Sequence, residues 1–144
     1  MSDLYERDFF AWANEQAELL RSGKLSDADI INIAEEIDSM GRSEKRELVS
    51  RLTILLLHLL KWQFQPTHRG ASWEASVANA RDHVADHLTD NPSLRVRLPE
   101  ATASAYRYAL REASAETGIR ASAFPATCPY SFDEMMDEGF WPGD

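Results

Sequence analysis

The segment Arg51–Pro66, RLTILLLHLLKWQFQP, carries apolar residues on every side of a helix, with one histidine, His58, among them. A helix that is apolar all round has to be enclosed by other helices. Leu48, Leu52, Leu55, Leu56, Leu59 and Trp62 form one broad face, while Ile54 and Leu57 fall on the far side. The pattern predicts a central buried helix over about 43–65, ended by Pro66, whose ring disfavours a helical residue before it. Either a bundle surrounds this helix, or Ile54 and Leu57 pack on a second copy of the chain.

Helical spacing recurs on both sides of this segment. Tyr5, Phe9, Trp12, Gln16, Leu19 and Leu20 make one face of a helix over about 5–22, stopped by Gly23. Ser26, with Asp29 three residues on, can cap a second helix. Its Ile30, Ile33, Ala34, Ile37 and Met40 form the inward face, and Gly41 ends it. After Ser72, Trp73, Val77, Ala80, Val84 and Leu88 share a face up to Asn91-Pro92. Ala103, Tyr106, Leu110 and Ala113 do the same over about 100–117, before Gly118. Valine, isoleucine and threonine nowhere alternate with polar residues, so strands are not expected. The expected fold is all-α: an antiparallel bundle of five main helices in one domain over 1–144.

Beyond Gly118 the character changes. Three of the six prolines lie there, which argues against another long helix. Ser131 and Glu134 can form a capping box for a short helix over about 132–137. The remainder of 119–144 is expected to run extended over the bundle or over a neighbouring subunit. Phe124, Tyr130, Phe132, Phe140 and Trp141 would serve as its pegs.

Composition narrows the partners. A formal net charge of −9 repels phosphate backbones, so nucleic acid is not the expected partner, whereas a basic protein would fit. The single cysteine, Cys128, excludes an internal disulfide and suits a reducing cytoplasm. The start, MSDLYERDFF, lacks the basic and apolar runs of a signal peptide. Leu52–Leu60 falls far short of the roughly 20 residues that span a bilayer, so no membrane association is expected.

Several motifs together resemble the domain-of-unknown-function 29 family of small helical bacterial proteins. They are LYERDFFAW with Gln16, the Glu35-Glu36-Ile37 step, and Arg51-Leu52 through HLLKW and Gln65-Pro66 to Arg69 and Ser72-Trp73. Arg81, Pro92-Ser93-Leu94, Glu116-Thr117-Gly118 and Pro125 with Cys128-Pro129 complete the set. The resemblance implies a helical fold and a bacterial cytoplasmic setting. It brings no activity with it, and His83 and His87 fall outside its motifs.

Polar residues not readily explained as solvated surface are the candidate sites: Glu36, Arg51, His58, Lys61, Arg69 and Arg81. A carboxylate at the edge of an apolar face needs a partner, and Arg51, Arg81 or His58 could serve Glu36. A neutral His58 bonded to a carbonyl or carboxylate would satisfy its ring. His83 and His87, four apart, could join His58 in a three-histidine metal site, the basis of a metal-dependent enzyme. Lys61 and Arg69, with Trp62, His68 and Trp73, could hold an anionic or planar ligand. No glycine-rich phosphate loop, nucleophile elbow or CxxC is present, and no cofactor is indicated. The leading expectation is a protein-interaction or self-associating module that acts without catalysis.

Overall fold

The computed structural model describes residues 3–143, and among them all regular structure is helical. The α-helices are α1 (Leu4–Arg7), α2 (Phe9–Arg21), α3 (Ile30–Phe64), α4 (Ala71–Asp90), α5 (Leu98–Thr117) and α6 (Phe132–Met136), joined by short 3-10 turns. Among the described residues no helix is long and apolar enough to cross a membrane. The chain divides into two compact units, one ending at Ser43 and the other beginning at Glu44.

The first unit contains α1, α2 and the beginning of α3. The helix expected over 5–22 is broken at Asp8, whose side chain accepts a hydrogen bond from the Ala11 amide and so caps α2. Tyr5, Phe9 and Trp12 nevertheless pack their rings together across the break, with Tyr5 and Trp12 edge to face at 4.7 Å. Trp12 Nε1 donates to Asp29 Oδ2 at 3.0 Å, and Gln16 Oε1 accepts from the Asp29 amide at 2.7 Å. Further along, Tyr5 comes near Glu36: burial first, and then the Glu36 carboxylate, raise the pKa of its hydroxyl. This order of contacts makes α2 and the start of α3 an antiparallel hairpin.

The second unit is a bundle around the later half of α3. Leu48, Leu52, Leu55, Leu56, Leu59 and Leu60 are fully buried, and Leu57 nearly so. Val77, Ala80, Val84 and Leu88 of α4 and Ala101, Ala105, Tyr106, Ala109 and Ala113 of α5 complete the core. Small alanines on α5 let its backbone come close to the leucines. Contacts of Arg51 with His83 and of Lys61 with Trp73 set α4 antiparallel to α3. Gly118 closes α5 in the left-handed conformation, φ 76°. The expected capping box of α6 is present, with Ser131 and Glu134 each bonding the other's backbone amide.

Four expectations need correction. Gly41 does not end a helix: α3 runs through it unbroken, so the second and third expected helices are one. The cause is that Gly41 keeps a negative φ, while helical sequence continues on both sides. The capping start also shifts, since Ser26 lies in a 3-10 turn and α3 begins at Ile30. Finally, the supposed inward face of residues 30–40 is open, with Ile30 at 52%, Ile37 at 62% and Met40 at 67% exposure. On α5, Ala103 is likewise exposed, its place in the core taken by Ala101 and Ala105.

Gly41 carries a direct test. It is exposed, inside a helix, and an added Cβ meets nothing within 4 Å. Gly41→Ala is expected to stabilise the protein by roughly 0.5–1 kcal/mol, measured as a raised urea midpoint, because alanine has less backbone entropy to lose.

Candidate functional site

The polar candidates of the second unit fall into three groups along α3 and α4. At the first, Arg51 Nε bonds Glu47 at 2.8 Å and its Nη1 reaches the His83 carbonyl at 2.7 Å. Nearby, the buried His87 places Nε2 2.9 Å from the Glu44 carbonyl, so that nitrogen donates. The Glu44 carboxylate lies 3.5 Å from the same ring nitrogen. These contacts fasten α4 to α3 through main-chain carbonyls.

The second group surrounds His58 and Lys61. Lys61 Nζ lies 3.4 Å from Glu116 and 5.1 Å from the centre of the Trp73 ring, which itself stacks on His68. His58 is half-buried and makes no hydrogen bond to a described residue, contrary to the expected carbonyl or carboxylate partner. Burial, and then the Lys61 charge, lower its pKa, with Glu116 acting in the opposite direction. A neutral ring tolerates that half-apolar position because its polar edge still meets water.

The third group is the most heavily built. The Arg81 guanidinium is buried, 4% exposed, and donates from Nε to the Met135 carbonyl and from Nη2 to the Phe140 carbonyl, both at 2.7 Å. Its plane lies over Trp141 at 5.4 Å. Arg69 Nε bonds the Trp62 carbonyl at 2.7 Å, Nη2 reaches the Pro142 carbonyl at 3.3 Å, and the group covers the Trp62 ring. Trp62 and Trp141 meet at 4.5 Å. Gly143 is held with φ 87°, and a Cβ there would lie 2.8 Å from Arg69 Nη2. Tyr130 Oη donates to Gln63 at 2.6 Å, and Tyr106 Oη donates to the Pro125 carbonyl. Burial drives the Tyr106 pKa up to about 12 and raises those of Tyr130 and Cys128 as well. Phe124 and Tyr130 are buried, while Phe132, Phe140 and Trp141 pack partly buried on the core. The tail after Gly118 thus packs on its own bundle.

These placements bear on chemistry. Among the described residues no group of three or more histidine, cysteine or acidic side chains could hold a metal ion. His58, His83 and His87 are not gathered: His83 is exposed, His87 is buried against Glu44, and His58 stands apart beside Lys61. Arg51 meets the His83 carbonyl while Lys61 meets Trp73, so His58 lies toward the Trp73 end of α4, away from His83 and His87. Lys61 and Arg69 are both engaged within the chain, through Glu116 and Trp73 in one case and through main-chain carbonyls in the other. Glu36 pairs with none of its expected partners: Arg51 pairs with Glu47 and Arg81 with carbonyls, while Glu36 lies near Tyr5.

The first unit offers a different kind of surface. Phe9, Phe10, Leu20, Leu25, Ile30, Ile31, Ile37 and Met40 are all exposed, by 42% to 79%. Among the described residues of the second unit the exposed large hydrophobics are Ile54, Val96 and Tyr108. Among the described residues of the first unit, only Trp12 and Gln16 are buried. Ile30, Ile37 and Met40 have the spacing of a core stripe yet face water. Ile31 lies outside that stripe and is exposed with them, the sign in the sequence that this segment is open.

Among the described residues these features define an all-helical protein with a clamped aromatic tail and no gathered metal-ligand group. The model of the domain of unknown function DUF29 matches residues 4–141, and the chain belongs to that family. Neither comparison, with curated proteins or with solved structures, gave a match.

Arg81→Met is expected to lower unfolding free energy by on the order of 3 kcal/mol, since the Met135 and Phe140 carbonyls lose a charged donor. Chemical denaturation measures it, and protease nicking after Gly118 should rise in parallel. His58 predicts a pH effect of definite sign. Its folded pKa is lowered, so its contribution is complete above the unfolded value, about 6.5, and is lost as pH falls through the folded one. The melting temperature of the native protein should drop as pH falls below about 6.5, and the slope should flatten in His58→Gln. An NMR midpoint at or above 6.5 for this ring would contradict the assignment.

Proposed function

We propose that this protein is a protein-interaction module that acts without catalysis, through the apolar surface of its first unit. The observation that carries the reading is the concentration of exposed large hydrophobics over residues 9–40. Apolar patches of this kind, rimmed by polar groups, mark interaction sites on soluble domains. Isolated exposed leucines or isoleucines are commonplace, but eight within 32 residues are not scattered singly. The second unit, by contrast, encloses its leucines and clamps its own tail. That contrast supports a division of labour between a stabilising bundle and a binding hairpin.

The excess of acidic groups argues against a phosphate-backed partner and for a protein. The lone, partly buried Cys128 supports a cytoplasmic location.

Site-specific crosslinking tests the reading with an internal control. Ile31 and Val96 are equally open, 79% and 80% exposed, but only Ile31 lies on the hairpin. A photoreactive phenylalanine analogue at each position, in the full chain expressed in its source cell, should give a discrete crosslinked protein from position 31 and none from 96. Absence of any crosslink at 31 would remove the basis of the proposal.

A further inference from the structure

Resting on that reading, we infer that the hairpin of α2 and the beginning of α3 receives a cationic amphipathic helix of about three turns from a partner protein. Two antiparallel helices cannot enclose a core between them. Trp12 and Gln16 fill the contact with Asp29, and the apolar groups beside it stay in water. On α3, Ile30, Ile37 and Met40 recur at helical spacing, and on α2, Phe9 and Leu20 border the buried pair. A third helix laid along such a groove is a standard way to cover it, through apolar residues at intervals of three and four. Ile30 to Met40 spans about 15 Å, which sets the length of the occupant.

Charge selects the occupant. Residues 3–43 hold ten carboxylates against four cations, so six of the nine net negative charges fall on this hairpin. Three of those cations are already committed inside the unit: Arg7 to Asp3, Arg21 to Glu18 and Arg42 to Glu35. Glu36 and Asp38 flank Ile37 in the chain. Such a field draws a lysine- or arginine-bearing helix and speeds its arrival. It opposes a second copy of this chain, which would bring two hairpins of equal sign face to face.

The probe is a fluorescein-labelled 14-residue leucine–lysine peptide patterned as an amphipathic helix, titrated with the full chain and followed by anisotropy. A leucine–glutamate peptide of the same pattern and a scrambled leucine–lysine peptide serve as references. The patterned cationic peptide should bind at least tenfold more tightly than either, and more weakly as salt rises. Ile37→Ser/Met40→Ser should weaken it at least tenfold, and Val96→Ser should not. Circular dichroism checks that the double variant keeps its helix content, as expected for exposed positions. Equal binding of the scrambled peptide, or equal loss in Val96→Ser, would mean unspecific charge attraction and overturn the inference. No peptide binding, with a dimer in sedimentation that Ile37→Ser/Met40→Ser dissociates, would overturn the cationic helix and leave the interaction module standing. A monomer that binds no peptide and crosslinks nothing from position 31 would overturn both.

Discussion

Removal of six leucines from water along the later half of α3 is the interaction on which the second unit depends. Each of Leu48, Leu52, Leu55, Leu56, Leu59 and Leu60 is wholly buried. Together they contribute on the order of 10 kcal/mol of transfer free energy, comparable to the whole net stability of a domain. Everything around them follows from the need to cover that surface. The alanine face of α5 allows close approach, α4 supplies valines and a leucine, and the aromatic tail closes what the helices leave open.

The tail illustrates how polar groups are reconciled with such a core. Extended backbone crossing an apolar surface must find partners for its carbonyls. Arg81 and Arg69 supply them, each from a planar group that also covers a tryptophan. Lysine could not replace either without loss, because its point charge neither forks between two carbonyls nor lies flat on a ring. These arginines look like binding residues in the sequence. In the folded chain they bind the chain itself.

The hairpin obeys a different balance. It buries a tryptophan and a glutamine around the backbone and carboxylate of Asp29, and leaves isoleucines in water. Two helices offer too little enclosed volume for more. Asp29 is held ionised by hydrogen bonds from Asn32 and Trp12, which outweigh the effect of its partial burial. The hairpin therefore owes its geometry to a polar knot more than to a core, and its apolar residues are available to a partner.

Much of this was legible in the sequence. The all-round apolar run identified the central helix, Pro66 its end, Gly118 the end of α5, and Ser131 with Glu134 the small capped helix in the tail. Those features are local: periodicity, a missing amide, a left-handed turn and a capping box are written within a few residues of one another. What the sequence could not supply is which apolar stripe meets another. Ile30, Ile37 and Met40 have the same spacing as the buried stripe of α4, and only the absence of a covering element in three dimensions leaves them exposed. In the same way His58, His83 and His87 look like a ligand set by type and spacing, while the antiparallel pairing of α3 with α4 sets His58 toward Trp73, away from the other two. Residue type and period determine which elements form. The burial of any one side chain, and the partner of any one charge, depends on neighbours distant in the chain, and that only the tertiary structure decided.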